Sequence, residues 1–243
     1  MNVEAQASVR VDSGWSGLVR LGAAAAVFVV VMIPVQAAVF LLSPPPDSVE
    51  GFFERFQENP LLGLLDLDLL LTLDYLLLIP FYLTLYVVVR QVAPAWALLA
   101  LVLGLFSVLL FVVSREATFS MWMLSDAHAA AASDADRDAL LAAGTTLLAL
   151  YDGGTFATSY VLGAASTLLF SAPMLRYRVF GRLPGLLGVV TGVTMLVPAN
   201  VGAVGLAIAM VSLVPTAVWL VLLVPNLLRT ARDADVARAP RRE

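Results

Sequence analysis

The sequence predicts an all-α fold: a polytopic membrane protein built as a six-transmembrane-helix bundle. Two observations carry that expectation. Apolar residues gather into runs at about 18–42, 61–89, 95–113, 140–175, 183–197 and 202–228, and a helix needs about 20 apolar residues to cross a bilayer core. The second is the placement of arginine in a chain without lysine. Arg10 and Arg20 precede or open the first run, and Arg90 follows the second. Arg176, Arg178 and Arg182 lie between the fourth and fifth, and Arg229, Arg232, Arg238, Arg241 and Arg242 follow the sixth. If the chain changes side at each run, all of these share one compartment, leaving Arg55 and Arg137 in the loops opposite. The positive-inside rule makes that compartment the cytoplasm. Both termini are expected there, with the bundle in a plasma (inner) membrane.

Composition narrows the class. With 60% hydrophobic and 13% charged residues and a mean hydropathy of +0.92, the chain differs from a soluble domain, where about a quarter of residues are charged. The expected organisation is a cytoplasmic N-terminal stub (1–17), a transmembrane domain (18–228) and a cytoplasmic tail (229–243). The tail alternates arginine with acids and is expected to stay disordered or to rest on the inner leaflet. A formal charge of −4 gives a nucleic-acid partner no support; the expected partner is the lipid bilayer. Absence of cysteine excludes disulfides and thiolate chemistry, and absence of lysine excludes a Schiff base. The single histidine, His128, excludes histidine-clustered metal sites. No catalytic residue, metal or cofactor is assigned, so an enzyme is not the expectation.

The elements follow in order. After the first run, Ser43-Pro44-Pro45-Pro46 stiffens the loop, because proline fixes φ. Asp47 and Glu50 have the spacing of a capping box. Val49, Phe52, Phe53 and Phe56 then fall at i, i+3, i+4 and i+7, the pattern of an amphipathic helix lying flat at the outer surface. Pro60 suits the first position of the second helix, and Pro80 implies a kink. The short Arg90–Pro94 turn makes a hairpin of the second and third helices, and the third extends through Leu124. Ser133 with Asp136 reads as the cap of the fourth. Gly181 with Gly185, and Gly188 with Gly192, are each four residues apart, which permits close helix contact. Pro215 is expected to bend the sixth.

Ionisable side chains inside apolar runs are the functional candidates. Asp68, Thr72, Tyr75, Tyr82 and Tyr86 fall within about 40° of one line at 3.6 residues per turn. On the fourth run Thr145, Asp152, Ser159 and Ser166 form a second stripe. Two polar stripes are best buried against each other or around a shared cavity, which makes Asp68, Tyr75, Asp152 and Ser159 the candidate ligand-binding set. Asp66 and Asp74 project elsewhere, and Arg115 is expected to pair with one of them. Asp66, Asp74, Arg115 and Glu116 are therefore assigned to a buried polar network. Such a network can simply hold helix register, or it can border an outward-facing polar pocket for a small molecule, lipid or partner. The alternative is a proton- or cation-coupled transporter using Asp68, Asp74 and Asp152. A third class, an intramembrane hydrolase, would require carboxylates converging at metal-ligand distance.

The segment RYRVFGRLPGLLGVV (176–190), with Pro184, Leu187 and Gly188, resembles the basic inner loop and helix start of a bacterial family of six-span proteins, domain of unknown function 4386. Arg20-Leu21-Gly22 at the first helix and the long polar second helix are similar too. The resemblance covers about 18–228. It implies the six-span architecture and no settled activity, so no catalytic residue is carried over.

Overall fold

The computed structural model describes residues 11–65 and 68–238. Among them the regular structure is all helical, a short 3-10 helix at Ser13–Trp15 followed by α1 (Ser16–Leu42), α2 (Val49–Glu58), α3 (Pro60–Leu65), α4 (Asp68–Val89), α5 (Pro94–Ala130), α6 (Asp134–Tyr151), α7 (Gly154–Arg176), α8 (Arg182–Thr194) and α9 (Gly202–Arg238). Four stretches are long and apolar enough to cross a membrane: Ser13–Leu42, Pro94–Ala130, Asp134–Arg176 and Gly202–Ala237. Their outward surfaces are apolar as well, with Leu42 86%, Val204 70% and Leu109 55% exposed. A monomer in water does not present so large an apolar belt, so the protein is membrane-embedded. The remaining rods are α4, with 22 residues, and α8. At 13 residues α8 is about 20 Å long at 1.5 Å per residue, against a hydrocarbon core of about 30 Å.

One end of the bundle collects the arginines. Arg20 of α1 forms an ion pair with Asp235 of α9. Arg90, in the α4–α5 turn, lies over the ring of Trp15 with its guanidinium carbon 5.0 Å from the centroid. The α7–α8 turn drives Val179 into the core, and Arg178 and Phe180 on either side adopt positive φ of 54° and 62°. That backbone costs about 1–2 kcal/mol per residue, and burial of Val179 offsets it. The expectation of a disordered tail does not hold through residue 238. Alanine-rich chain favours helix, and Ala231 and Ala234 are buried, so α9 continues to Arg238. Residues 1–10 and 239–243, with Arg10, Arg241 and Arg242, lie outside the described residues.

At the opposite end α2 lies on the bundle. Its cap is Ser48, whose Oγ accepts from Gly51 N at 3.1 Å, so the expected cap at Asp47 is corrected by one residue. Phe52, Phe53 and Phe56 are buried against Ala117, Met121 and Tyr151. Asn59 Oδ1 accepts from Leu61 N and Leu62 N at 3.1 Å, opening α3 at Pro60. Ser133 caps α6 as expected, accepting from Asp136 N at 3.2 Å.

Small residues set the tight contacts. A side chain at Gly22 would strike Thr84 and the Pro80 carbonyl, and Thr84 Oγ1 donates to Leu18 O at 3.0 Å. Gly185, Gly188 and Gly192 turn one face of α8 onto α7: a Cβ there would meet Leu175, Ser171 and Leu168 respectively. These glycines serve packing. The contact between α1 and the bundle is uneven along its length. All its buried residues lie between Ser16 and Ala26, and the half beyond them stands against a cavity.

Candidate functional site

The fourth apolar run is interrupted. A stripe from Thr145 to Ser166 needs one helix over 140–175, but α6 ends at Tyr151, Asp152 leaves helical geometry at φ −112°, ψ 16°, and α7 starts at Gly154. Gly153 and Gly154 are weak helix formers, and a Cβ at Gly153 would run into the Ala149 carbonyl. A helix end leaves carbonyls without partners, and lipid offers them none. Two side chains answer. Arg115 Nη2 donates to Tyr151 O at 2.5 Å, and Asn200 Nδ2 donates to Asp152 O at 2.6 Å and to Gly153 O at 3.4 Å.

Arg115 is used on every side. Its Nη1 donates to Asp68 Oδ1 at 2.9 Å and its Nε to Ser114 Oγ at 3.2 Å. Its guanidinium carbon lies 3.9 Å from the Tyr151 ring centroid and 5.2 Å from those of Phe111 and Phe156. Thr118 Oγ1 donates to the other Asp68 oxygen at 2.8 Å. The two charged side chains are only 6% and 5% exposed. Arg115 therefore pairs with Asp68, where the sequence reading had Asp66 or Asp74. Asp66 lies outside the described residues. Asp74 instead accepts from Gln36 Nε2 of α1, and its second oxygen is buried without a partner. Glu116 is exposed and so does not join a buried network; one residue on from Arg115, it points about 100° away at 3.6 residues per turn.

The polar stripe of α4 does face its neighbours. Tyr75 stacks on Phe111 of α5 at 3.6 Å and Tyr82 on Phe170 of α7 at 6.2 Å. On α7, the Ser159 hydroxyl donates to Phe156 O of its own helix at 2.7 Å, while the Ser159 carbonyl and the Ser166 hydroxyl meet α5. Ser107 Oγ donates to Ser159 O, and Ser166 Oγ to Ala100 O, each at 2.7 Å.

Around the break lies a cavity of about 920 Å³. Much of its lining is apolar, including Ile33 of α1, Phe156 of α7, and Leu206, Met210 and Leu213 of α9. Polar side chains border it as well: Asp47, Gln36, Arg115, Asp152 and Asn200. Of the four candidate ligand residues, Tyr75 and Asp152 line it; Asp68 lies behind Arg115, and Ser159 is buried with its hydroxyl bonded to Phe156 O. Sequence reasoning missed Gln36, Asp47 and Asn200. Gln36 is the one polar side chain within the apolar stretch 21–42, a signal that was available. Asn200 and Asp47 lie in loops, where no periodicity marks them. Among the described residues no three histidine, aspartate or glutamate side chains converge as a metal ion would need.

Comparison with known families gives one match, to the model described as domain of unknown function (DUF4386), over residues 23–229. The chain belongs to this family. The match runs from the first half of α1 to Arg229 in α9, so family membership covers the cavity, the α6–α7 break and the Arg115–Asp68 pair. No curated protein matches the chain, and no solved structure does.

Proposed function

We propose that this DUF4386 protein is an amphiphile-binding membrane protein. In this reading α1, α4, α5, the broken rod α6–α7, α8 and α9 cross the plasma membrane of a bacterium as six spans. Residues 18–228 form the transmembrane domain, and both termini lie on the cytoplasmic side with the arginines. The cavity then opens near the outer surface. The observation that supports the reading is that cavity: its volume suits a small molecule or a lipid tail, and its lining joins apolar side chains to a few polar and charged ones. The half of α1 beyond Ala26, which has no buried residue, forms a wall that can yield to an acyl chain.

The test is binding of an acyl chain with an environment-sensitive fluorophore to the full chain in nanodiscs. Ala37 lines the cavity, and Ala37→Trp would fill it. The variant is expected to lose at least tenfold in probe affinity with its melting temperature kept. Equal affinity in the two proteins would remove the reading.

Two observations favour a second reading, proton- or cation-coupled transport through Asp68, Asp74 and Asp152. Asp74 Oδ1 is buried without a partner, which suits an acid that takes up a proton or cation. The broken α6–α7 rod resembles the discontinuous helices of transporters. Asp74→Asn and Asp152→Asn should then each abolish proton-linked flux in proteoliposomes, whereas a structural network would shift thermal stability alone.

A further inference from the structure

We infer that the second half of α1 is a lateral gate, hinged at Pro34 and held shut by the Gln36–Asp74 hydrogen bond. Through it an amphiphile passes between the bilayer and the cavity. The inference rests on the amphiphile reading above and adds the route of entry. It follows from how α1 is held along its length. The first half is fixed: Val19, Ala23 and Ala26 belong to the same buried core as Leu85 and Leu223, and Gly22 packs on Thr84. Beyond Ala26 no residue of α1 is buried.

One face of that half borders the cavity and the other faces outward. Ile33, Gln36, Ala37 and Phe40 line the cavity at i, i+3, i+4 and i+7, the spacing of a single helix face. Pro34, Val35, Ala38, Leu41 and Leu42 are exposed. The wall between cavity and bilayer is therefore one helix thick. Burial of apolar surface gives little drive between helices in a membrane, because lipid tails are as apolar as leucine; packing and polar contacts hold such a wall. Gln36 is the one polar side chain in 21–42, and its Nε2 donates to Asp74 of α4. Leu71 and Tyr75 of α4, before and after Asp74, line the cavity, so the bond lies along its α1–α4 edge.

Pro34 makes this wall bendable. It has no N–H for the Val30 carbonyl, and its ring crowds that carbonyl; sharp helix kinks gather at such positions. It precedes Gln36 by two residues and lies about 12 Å from the end of α1 at 1.5 Å per residue. Both ends of the helix are tied. Thr84 Oγ1 donates to Leu18 O at 3.0 Å, and Arg55 Nη1 donates to Ser43 Oγ at 3.2 Å. A bend at Pro34 between these ties has one side-chain hydrogen bond to break, that of Gln36 with Asp74. Opening then presents the Gln36 amide and the Asp74 carboxylate to a passing head group, at a depth where lipid tails offer no polar partner.

The chain has no cysteine, so Gln36→Cys with Asp74→Cys introduces its only thiols, which a short bis-methanethiosulfonate joins reversibly. The experiment uses the full chain in phosphatidylcholine nanodiscs and follows the fluorescent acyl probe in time. Cross-linking is expected to slow uptake at least tenfold, and reductant to restore it. Cross-linking after loading should slow release by a similar factor, which separates a closed route from an obstructed site. The same reagent across Arg20→Cys and Asp235→Cys, at the other end of α1, should change neither rate. Pro34→Ala gives the Val30 carbonyl its partner at an exposed position. It should slow uptake and release about threefold each with affinity kept, and it decides the matter if the thiol pair does not fold. Unchanged rates after cross-linking at 36 and 74, or slower uptake with unchanged release, overturn the inference. Unchanged rates in Pro34→Ala overturn the hinge. If the probe does not bind the parent chain, the amphiphile reading has failed instead.

Discussion

Arg115 and Tyr151 meet where α6 stops: the guanidinium donates to the last helical carbonyl at 2.5 Å and lies 3.9 Å from the same residue's ring. One side chain thus closes a helix end, stacks on an aromatic ring and neutralises Asp68. A cation at a helix C-terminus is favourable, and a planar fork can serve two acceptors at once, which an ammonium cannot do in the same geometry. The broken rod depends on this side chain.

Removal of Arg115 should therefore cost more than its charge. Arg115→Met leaves Asp68 as a buried charge with no counter-ion, a change worth about 3–5 kcal/mol. The double variant Arg115→Met with Asp68→Leu should recover part of that loss, because no charge is then stranded. Arg115→Lys should remain well below the parent in melting temperature. Thermal unfolding in detergent measures all three, and a double variant no better than the single one would contradict the account.

The ion pair between Arg20 and Asp235 sets α1's start beside α9's end. Reporter tags after Leu42 and at the C-terminus are accordingly expected to label opposite faces of the membrane. Labelling of the same face would overturn the six-span topology.

Gly188 separates packing from propensity. A side chain there would strike Ser171 and Trp219, and overpacking typically costs about 1–3 kcal/mol. Gly188→Leu should lower the melting temperature clearly. Gly17, also helical, has nothing within 4 Å of its would-be Cβ; Gly17→Ala should be neutral or stabilising by about 0.5–1 kcal/mol. Similar effects at the two positions would refute close approach at α7–α8.

Phe56 is 1% exposed and lies 6.5 Å from the ring of Trp122. Phe56→Ala should cost about 3–5 kcal/mol of local packing and loosen α2 from α5. Faster proteolysis between Ser43 and Ser48, with the rest of the chain intact, is the readout. Unchanged cleavage would mean that α2 is held by its polar contacts, such as Gln57 Nε2 to Ser125 Oγ at 3.0 Å.

Sequence reasoning reached the pairing of Arg115 with an aspartate yet named the wrong one. Depth and phase counted along separate helices cannot give the rotation of α4 against α5, and Tyr75 stacked on Phe111 sets that rotation. The stripe on the fourth run failed for a nearer reason. Periodicity extended through Asp152 although Gly153-Gly154 follows directly, and two weak helix formers in succession were the signal of a break.

Hydropathy and arginine placement, both one-dimensional properties, determined that this chain is all-helical and embedded in a membrane, because a bilayer sorts residues by transfer free energy before any tertiary contact forms. The same reading put an amphipathic helix after the first run and small residues on α8. Tertiary structure alone decided that α1 packs over only part of its length, that α9 runs on past the last apolar run, and that Asn200 and Arg115 converge on one helix end. These outcomes depend on which side chains meet across helices distant in sequence, and unpartnered backbone carbonyls near the break selected the donors that reach them.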